Sequence, residues 1–348
     1  MSNIIKPRKL APGDKVATLS LSWGGPSIFL YRYQVGVQQL KDEFGLDVVE
    51  MPNTLRPASW LSQNPRARAD DFMQAFDDPT IKGVFTTIGG DDSIRLLPFL
   101  DLDVIRNNPK VFLGYSDNTI QHLVCYQAGL VSFYGPSIMA EFAENGGMFP
   151  YMVHSLRKAI FSSETLGDIQ PSTEGWTADH LDWADPANQK VKRKLNPSTG
   201  WTFLQGDGIR RGHLVGGCLD VLDWARGTEV FPRNWQNAIL FIETSEEAPP
   251  PETVTRILRV FGAMGILQQL SGILFGRPGG DLSPDTFADY DRAILQVVCD
   301  ELGLTDLPIV TRMDFGHTAP MFVLPYGVQA EINCETKTFS IIENAVVD

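Results

Sequence analysis

The chain has 348 residues, 43% of them hydrophobic and 20% charged, enough for a large buried core and more than a single domain of ordinary size needs. Its 29 Lys and Arg against 42 Asp and Glu leave a formal net charge of -13, which repels a polyphosphate backbone over most of the surface and argues against nucleic acid as a partner. The N-terminal run MSNIIKPRKLAPGDKVATLS lacks the apolar core of a signal peptide, and no later stretch reaches the ~18 apolar residues of a membrane span, so a cytoplasmic protein with no membrane partner is expected.

In chain order, the first part alternates short β-rich runs with amphipathic ones, the pattern of a parallel sheet covered by helices. Lys15 to Leu21 is predicted as the first strand, Ile28 to Phe44 as a helix and Leu46 to Glu50 as the second strand. Pro65 to Phe76 reads as a helix whose proline suits its first turn. Gly83 to Ile88 is a strand ending in Gly89-Gly90, and Val111 to Leu113 is the next, followed by Gly114-Tyr115-Ser116-Asp117 and a helix through about Gln127. Such turns gather at the carboxyl edge of the sheet, where α/β folds place their sites.

From about Glu164 to Gly200 the periodicity fails, and Pro, Gly and charges mix with Trp176, Trp183 and, just beyond, Trp201. This is read as a linker carrying a long loop, a feature that is more often functional than not. Further strands are predicted at Ala238 to Ile242, Ile273 to Phe275, Ile309 to Arg312 and Gln329 to Ile332. After Pro249-Pro250-Pro251 a helix puts Val254, Ile257, Leu258 and Phe261 on one face. The expected fold class is α/β: an N-terminal domain over 1–163 with a Rossmann- or flavodoxin-like parallel sheet, a linker over 164–200, and a smaller mixed α/β domain over 201–348.

Cys125, Cys218, Cys299 and Cys334 lie far apart with no CxxC pair, and none of the five histidines forms HxH or HxxxH. They read as reduced thiols and isolated imidazoles, so neither metal nor cofactor is implied. Ser116 sits at a strand-to-helix turn, where free N–H groups and the positive end of a helix favour a nucleophile. The sequence GYSDN lacks the second glycine of a G-x-S-x-G elbow, and Ser116 or Asp117 equally suits a helix cap. Glu243 closes the apolar strand AILFIE, either as an orienting acid or as a solvated strand end before Ser245-Glu246-Glu247. His317, in the loop MDFGHTAP, is either a general base on a rigid turn or a histidine satisfied locally.

Taken together, the blocks KPRKLAPGDKVATLSLSWGGP, TTIGGDDSIRLLPFLD, FLGYSDNTIQHL, GWTFLQGDGIRRGHLVGGCLDVLDW, AILFIETSEEAPPPETVTRIL and RMDFGHTAPMFVLPYG resemble the LD-carboxypeptidase family of serine peptidases, especially its microcin C immunity branch. The resemblance implies Ser116 as nucleophile, Glu243 as orienting acid and His317 as base, at an interface between two domains. It also implies that the Gly89-Gly90 turn approaches the reacting carbonyl, so that the backbone N–H groups of Gly90 and Asp117 form an oxyanion hole, and that the protein is a homodimer. A dinucleotide-binding oxidoreductase is the rival reading, but the first turn is Ser22-Trp23-Gly24-Gly25-Pro26 and not G-x-G-x-x-G. A noncatalytic binding protein would be expected to lack one of the three residues.

Two substrates fit the resemblance: a murein tetrapeptide ending in D-alanine, or the amide joining an acidic aminoacyl group to a modified nucleotide. The tryptophans of the central segment favour the second, since an aromatic ring stacked on a base contributes roughly 1–3 kcal/mol. Trp183 and Trp201 are the candidate substrate contacts, with Lys190, Lys192, Arg193 and Lys194 near enough in sequence to meet a phosphate or simply to face solvent.

Overall fold

The computed structural model describes residues 4–348. Strands occupy Lys15–Leu19 (β1), Asp47–Glu50 (β2), Ile81–Thr86 (β3), Val111–Gly114 (β4), Phe133–Tyr134 (β5), Gly167–Ile169 (β6), Thr202–Gln205 (β7), Ile209–Cys218 (β8), Ala238–Glu243 (β9), Gly272–Gly276 (β10), Ile309–Met313 (β11), Leu324–Pro325 (β12), Gln329–Asn333 (β13) and Thr338–Ile341 (β14). One sheet of six has the order β12-β5-β4-β3-β1-β2, and one of eight has the order β6-β14-β13-β8-β9-β10-β11-β7. In the first, β5 through β2 are parallel and β12 is an antiparallel edge. In the second, β8, β9, β10 and β11 are parallel and the outer strands antiparallel. The α/β class read from the sequence is the class observed.

The predicted strands and helices recur within a residue or two at most boundaries. Ile28 to Phe44 is the exception: Phe29, at φ -118 and ψ 57, separates Gly25–Ile28 from Leu30–Phe44. The helix Pro251–Ala263 buries Val254, Ile257, Leu258 and Phe261, the stripe its spacing predicts. Strand β8 was not readable by alternation, because Gly212, Gly216 and Gly217 interrupt it. Gly216 is needed there, since a Cβ would meet the Phe241 carbonyl oxygen at 1.6 Å. The C-terminal part, expected to be the smaller unit, carries the larger sheet. The chain also crosses between sheets: β12 joins the N-terminal sheet, and β6, inside the predicted linker, joins the C-terminal one. A single hydrophobic cluster runs through both, from Leu113 and Tyr134 to Leu240, Phe241 and Tyr326.

The segment between β6 and β7 is fastened by a buried carboxylate. Asp314, 1% exposed, pairs with the equally buried Arg277 at 2.9 Å. Its Oδ2 accepts from the backbone N–H of Ser172 at 3.0 Å and from the Trp201 indole at 2.8 Å. The Arg277 guanidinium lies 4.9 Å from the Trp176 ring centroid, and Thr177 exchanges two backbone hydrogen bonds with Ala319 at 2.7 and 2.9 Å. Removing one member of a buried pair strands the other charge, at a cost of about 3–5 kcal/mol. Arg277→Met should therefore lower the unfolding free energy by that order, while Arg292→Ala, which breaks an exposed pair with Asp289, should cost under ~1 kcal/mol. Equal losses from the two variants would remove Asp314 from its fastening role.

Candidate active site

Ser116 follows β4 with φ 62, a left-handed conformation uncommon for serine. The turn is held from both sides: its N–H donates to the Tyr134 hydroxyl at 3.2 Å, and its carbonyl accepts from Thr119 Oγ1 at 2.7 Å as the helix Thr119–Gln127 begins. Glu243 is the last residue of β9 and fully buried. His317 stands in the turn after β11, with Nδ1 2.6 Å from Glu243 Oε2 and Nε2 3.0 Å from Ser116 Oγ. The three residues singled out in the sequence thus meet where the carboxyl ends of both sheets converge. Gly316, at φ 91, lets the histidine turn pass over the acid, because a Cβ there would lie 2.6 Å from Glu243 Cγ.

The Gly89-Gly90 turn presses against the serine: a Cβ on Gly89 would lie 2.8 Å from Ser116 Oγ. The N–H groups of Gly90 and Asp117 have no acceptor among the described residues. The Asp117 side chain points away from the serine, its Oδ2 accepting from Ser93 N at 2.8 Å. Two partners of this site were not singled out in the sequence. Tyr134, on the two-residue strand β5, donates to Glu243 Oε1 at 2.5 Å and so bridges the acid to the backbone of Ser116. Glu246, which reads as part of a solvated acidic turn, places Oε2 3.1 Å from His317 Nε2. The sequence signal for it was its position three residues past the end of an apolar strand.

Beside these groups opens a cavity of about 800 Å³, lined among others by Trp23, Phe29, Arg32, Tyr115, Trp183 and Arg193. Trp183 is set by its neighbours, with the Arg32 guanidinium 4.8 Å from its ring centroid and Phe29 and His180 at 5.9 and 5.6 Å. Trp201, the other tryptophan expected to touch substrate, does not line the cavity. Its ring packs on Phe322 and Phe339 and its N–H goes to the buried Asp314, because an indole donor in a core needs an acceptor and finds one there. Trp176 is buried more deeply still. Of the basic run only Arg193 lines the cavity, and its charge is already met by the buried Glu144. Among the described residues no three His, Cys, Asp or Glu side chains gather in a way that would hold a metal ion.

Charge placement sets the protonation of two histidines in opposite directions. Burial alone lowers the pKa of His317, but Glu243 against Nδ1 and Glu246 against Nε2 outweigh it and hold the imidazolium well above the ordinary histidine range. The same contact, through its hydrogen bond from His317, draws the Glu246 carboxyl down to about 2. Behind the serine strand, burial takes His122 down to about 3, its ring bonded to Ser132 Oγ and to the Gly114 carbonyl at 2.8 Å each.

Two sheets, a serine at a strained turn and a histidine and carboxylate from the second sheet define a chain built like a hydrolase of the two-domain peptidase type. Residues 16–135 match the family model of the LD-carboxypeptidase N-terminal domain and residues 211–332 that of the LD-carboxypeptidase C-terminal domain, and the chain belongs to this peptidase family. It is 29% identical over 337 residues to the Microcin C7 self-immunity protein MccF of Escherichia coli, spanning 96% of this chain and 94% of that protein. The crystal structure of an MccF-like protein from Streptococcus pneumoniae in complex with AMP superposes with a TM-score of 0.85 at 30% identity, covering 94% of this chain and 98% of that one. MccF in complex with aspartyl sulfamoyl adenosine gives a TM-score of 0.84 at 28% identity, over 99% of this chain and all of that one at 100%.

The two histidines predict a stability maximum. For His122 the unfolded chain binds the extra proton, so its contribution falls as pH drops from about 6.5 toward 3. For His317 the folded chain holds the proton, so its contribution is complete below about 6.5 and is lost as pH rises through the raised folded pKa. Denaturant unfolding measured against pH should show His122→Gln flattening the acid limb and His317→Gln flattening the alkaline limb. Parallel curves for all three proteins would contradict these protonation states.

Proposed function

We propose that the protein is a serine hydrolase that cleaves an amide in an aminoacyl-nucleotide of the microcin C type. The observation that carries this reading is the hydrogen-bonded line from Ser116 Oγ to His317 Nε2 and from His317 Nδ1 to Glu243, at 3.0 and 2.6 Å, with the serine held at φ 62. In this reading Ser116 Oγ attacks the substrate carbonyl carbon while its proton passes to His317 Nε2. Glu243 keeps the ring oriented with Nδ1–H toward itself and stabilises the imidazolium, and Tyr134 fixes Glu243 in turn. The N–H groups of Gly90 and Asp117 receive the oxyanion. Collapse breaks the C–N bond as the leaving nitrogen takes the proton from His317, and water repeats the sequence on the acyl-serine to release the acid.

The nucleotide part is supported by Trp183, whose ring faces a cavity within the 300–1,000 Å³ range typical of small-molecule sites, and by the AMP and aspartyl sulfamoyl adenosine bound in the two related structures. The protein is proposed to work as a cytoplasmic homodimer. The exposed apolar side chains Ile28, Leu30 and Tyr31, beside the cavity-lining Trp23 and Phe29, support a twofold contact near the cavity mouth. A mass near 38.6 kDa by light scattering at micromolar concentration would refute that assembly.

Ser116→Ala and His317→Ala should keep the circular dichroism of the parent and lower kcat by more than about a thousandfold, with Glu243→Gln also severe but less complete. Trp183→Ala should raise KM for the aminoacyl-nucleotide by roughly ten- to a hundredfold, the loss of one stacked base. Normal turnover by a folded Ser116→Ala protein would end the hydrolase reading. A higher kcat/KM on a murein tetrapeptide than on the aminoacyl-nucleotide would instead make the protein an LD-carboxypeptidase of cell-wall fragments.

A further inference from the structure

Glu246 makes the one close contact in the site that the proposed reaction does not use and that opposes it. Its Oε2 lies 3.1 Å from His317 Nε2, the same nitrogen that lies 3.0 Å from Ser116 Oγ. A bare Nε2 would turn a lone pair toward a carboxylate oxygen that also carries lone pairs, so the contact is attractive only when Nε2 bears a proton. With Nδ1 already bonded to Glu243, a second carboxylate against Nε2 favours an imidazolium as the resting ring. Such a ring has no site left to take the proton of Ser116.

Release of Nε2 therefore requires something that competes for Glu246. The groups around His317 supply no cation for it. Glu243 lies at the end of β9, Glu246 and Glu247 in the turn that follows, and Asp220 on the helix Leu219–Ala225, while Tyr115 and Tyr134 face the ring and its acid from the serine side. Asp281, in the turn after β10, lines the same end of the cavity. Arg32 and Arg193 also line the cavity and are engaged, the first by Asn145, Gln189 and two carbonyls and the second by Glu144. Glu246 itself is mostly exposed and free to turn toward the cavity. The competing cation must come in with the substrate, and an aminoacyl group carries one on the carbon next to its carbonyl.

We propose that Glu246 is a specificity-determining residue that binds the free ammonium group of the aminoacyl substrate and, in leaving His317 Nε2 to do so, frees the imidazole to deprotonate Ser116. The inference rests on the Ser116 hydrolase reading. No bond other than N–H changes in this step: the Nε2 proton passes to solvent water once Glu246 no longer stabilises it, and Glu246 stays ionised opposite the ammonium. The selection is for a free amine, not for an acidic side chain, which the same carboxylate would repel.

Binding separates this inference from the hydrolase reading. With Ser116→Ala protein and calorimetry, alanyl sulfamoyl adenosine should bind at least about tenfold more tightly than its N-acetylated form, the size of one hydrogen bond to a charged group. In Ser116→Ala/Glu246→Gln protein the two ligands should bind alike. Equal affinities in the single variant, or binding of neither ligand, would overturn the proposal. In the active enzyme, Glu246→Gln removes an anionic partner from resting His317, so the acid limb of kcat/KM against pH should move to lower pH; an unmoved limb would overturn the release step. If wild-type protein shows the binding difference but cleaves neither ligand, the hydrolase reading fails while the ammonium subsite stands.

Discussion

A carboxylate buried without compensation is among the most costly features a fold can contain, and Glu243 is fully buried at the end of a strand. Two groups meet it, the Tyr134 hydroxyl on one oxygen and the His317 ring on the other, and Tyr134 in turn accepts from the backbone of Ser116. Tyr134 belongs to the first sheet, Glu243 to the second, and His317 to the turn that leaves β11 of the second. The charge of Glu243 is therefore satisfied only when the two sheets are docked in one relative position. That single requirement couples the interface to the alignment of serine, histidine and acid. A shift of the sheets that spoiled the site would also leave a charge unpaired in the core.

A second buried carboxylate does the same work for the cavity wall. Asp314 lies three residues before His317, and it ties Ser172, Trp201 and Arg277 to the turn that carries the histidine. The segment between β6 and β7 then has little freedom in how it returns over the cavity, and it delivers Asp179 to Trp183 to the side facing Ser116. The cavity-lining segment and the histidine turn are thus joined in one hydrogen-bonded unit. The tryptophans of this segment divide the labour: Trp176 and Trp201 hold the segment down, and Trp183 remains at the cavity.

Electrostatically the site is one-sided. Carboxylates outnumber cations around His317, where Glu243 and Glu246 contact the ring, and the two arginines that line the cavity have their charges met by protein groups. The resting histidine is drawn toward its charged form by this arrangement, a state suited to waiting and not to taking a proton.

Much of this was legible before any coordinates. The alternation of apolar runs with amphipathic ones gave the α/β class, because period two and period 3.6 are set by backbone geometry and survive in any context. Ser116, Glu243 and His317 were readable as candidates because each ends or follows a strand, but each alone suited a cap, a solvated end or a satisfied histidine equally, and the family resemblance is what joined them. What the sequence left open are relations across space. Strand β8 hides its alternation behind glycines whose purpose is contact with β9, and Tyr134 looks like any apolar-strand tyrosine until the second sheet brings Glu243 against it. Trp183 and Trp201 have the same residue type and similar flanks, yet one faces the cavity and the other a buried carboxylate over a hundred positions away. Glu246 reads as solvated and stays largely exposed, yet the His317 turn brings Nε2 to 3.1 Å from it. Local pattern determined the elements and the residues chemically able to act; only the packing of two sheets decided which of them meet, because the partners of a buried charge are chosen by three-dimensional neighbours and not by neighbours in the chain.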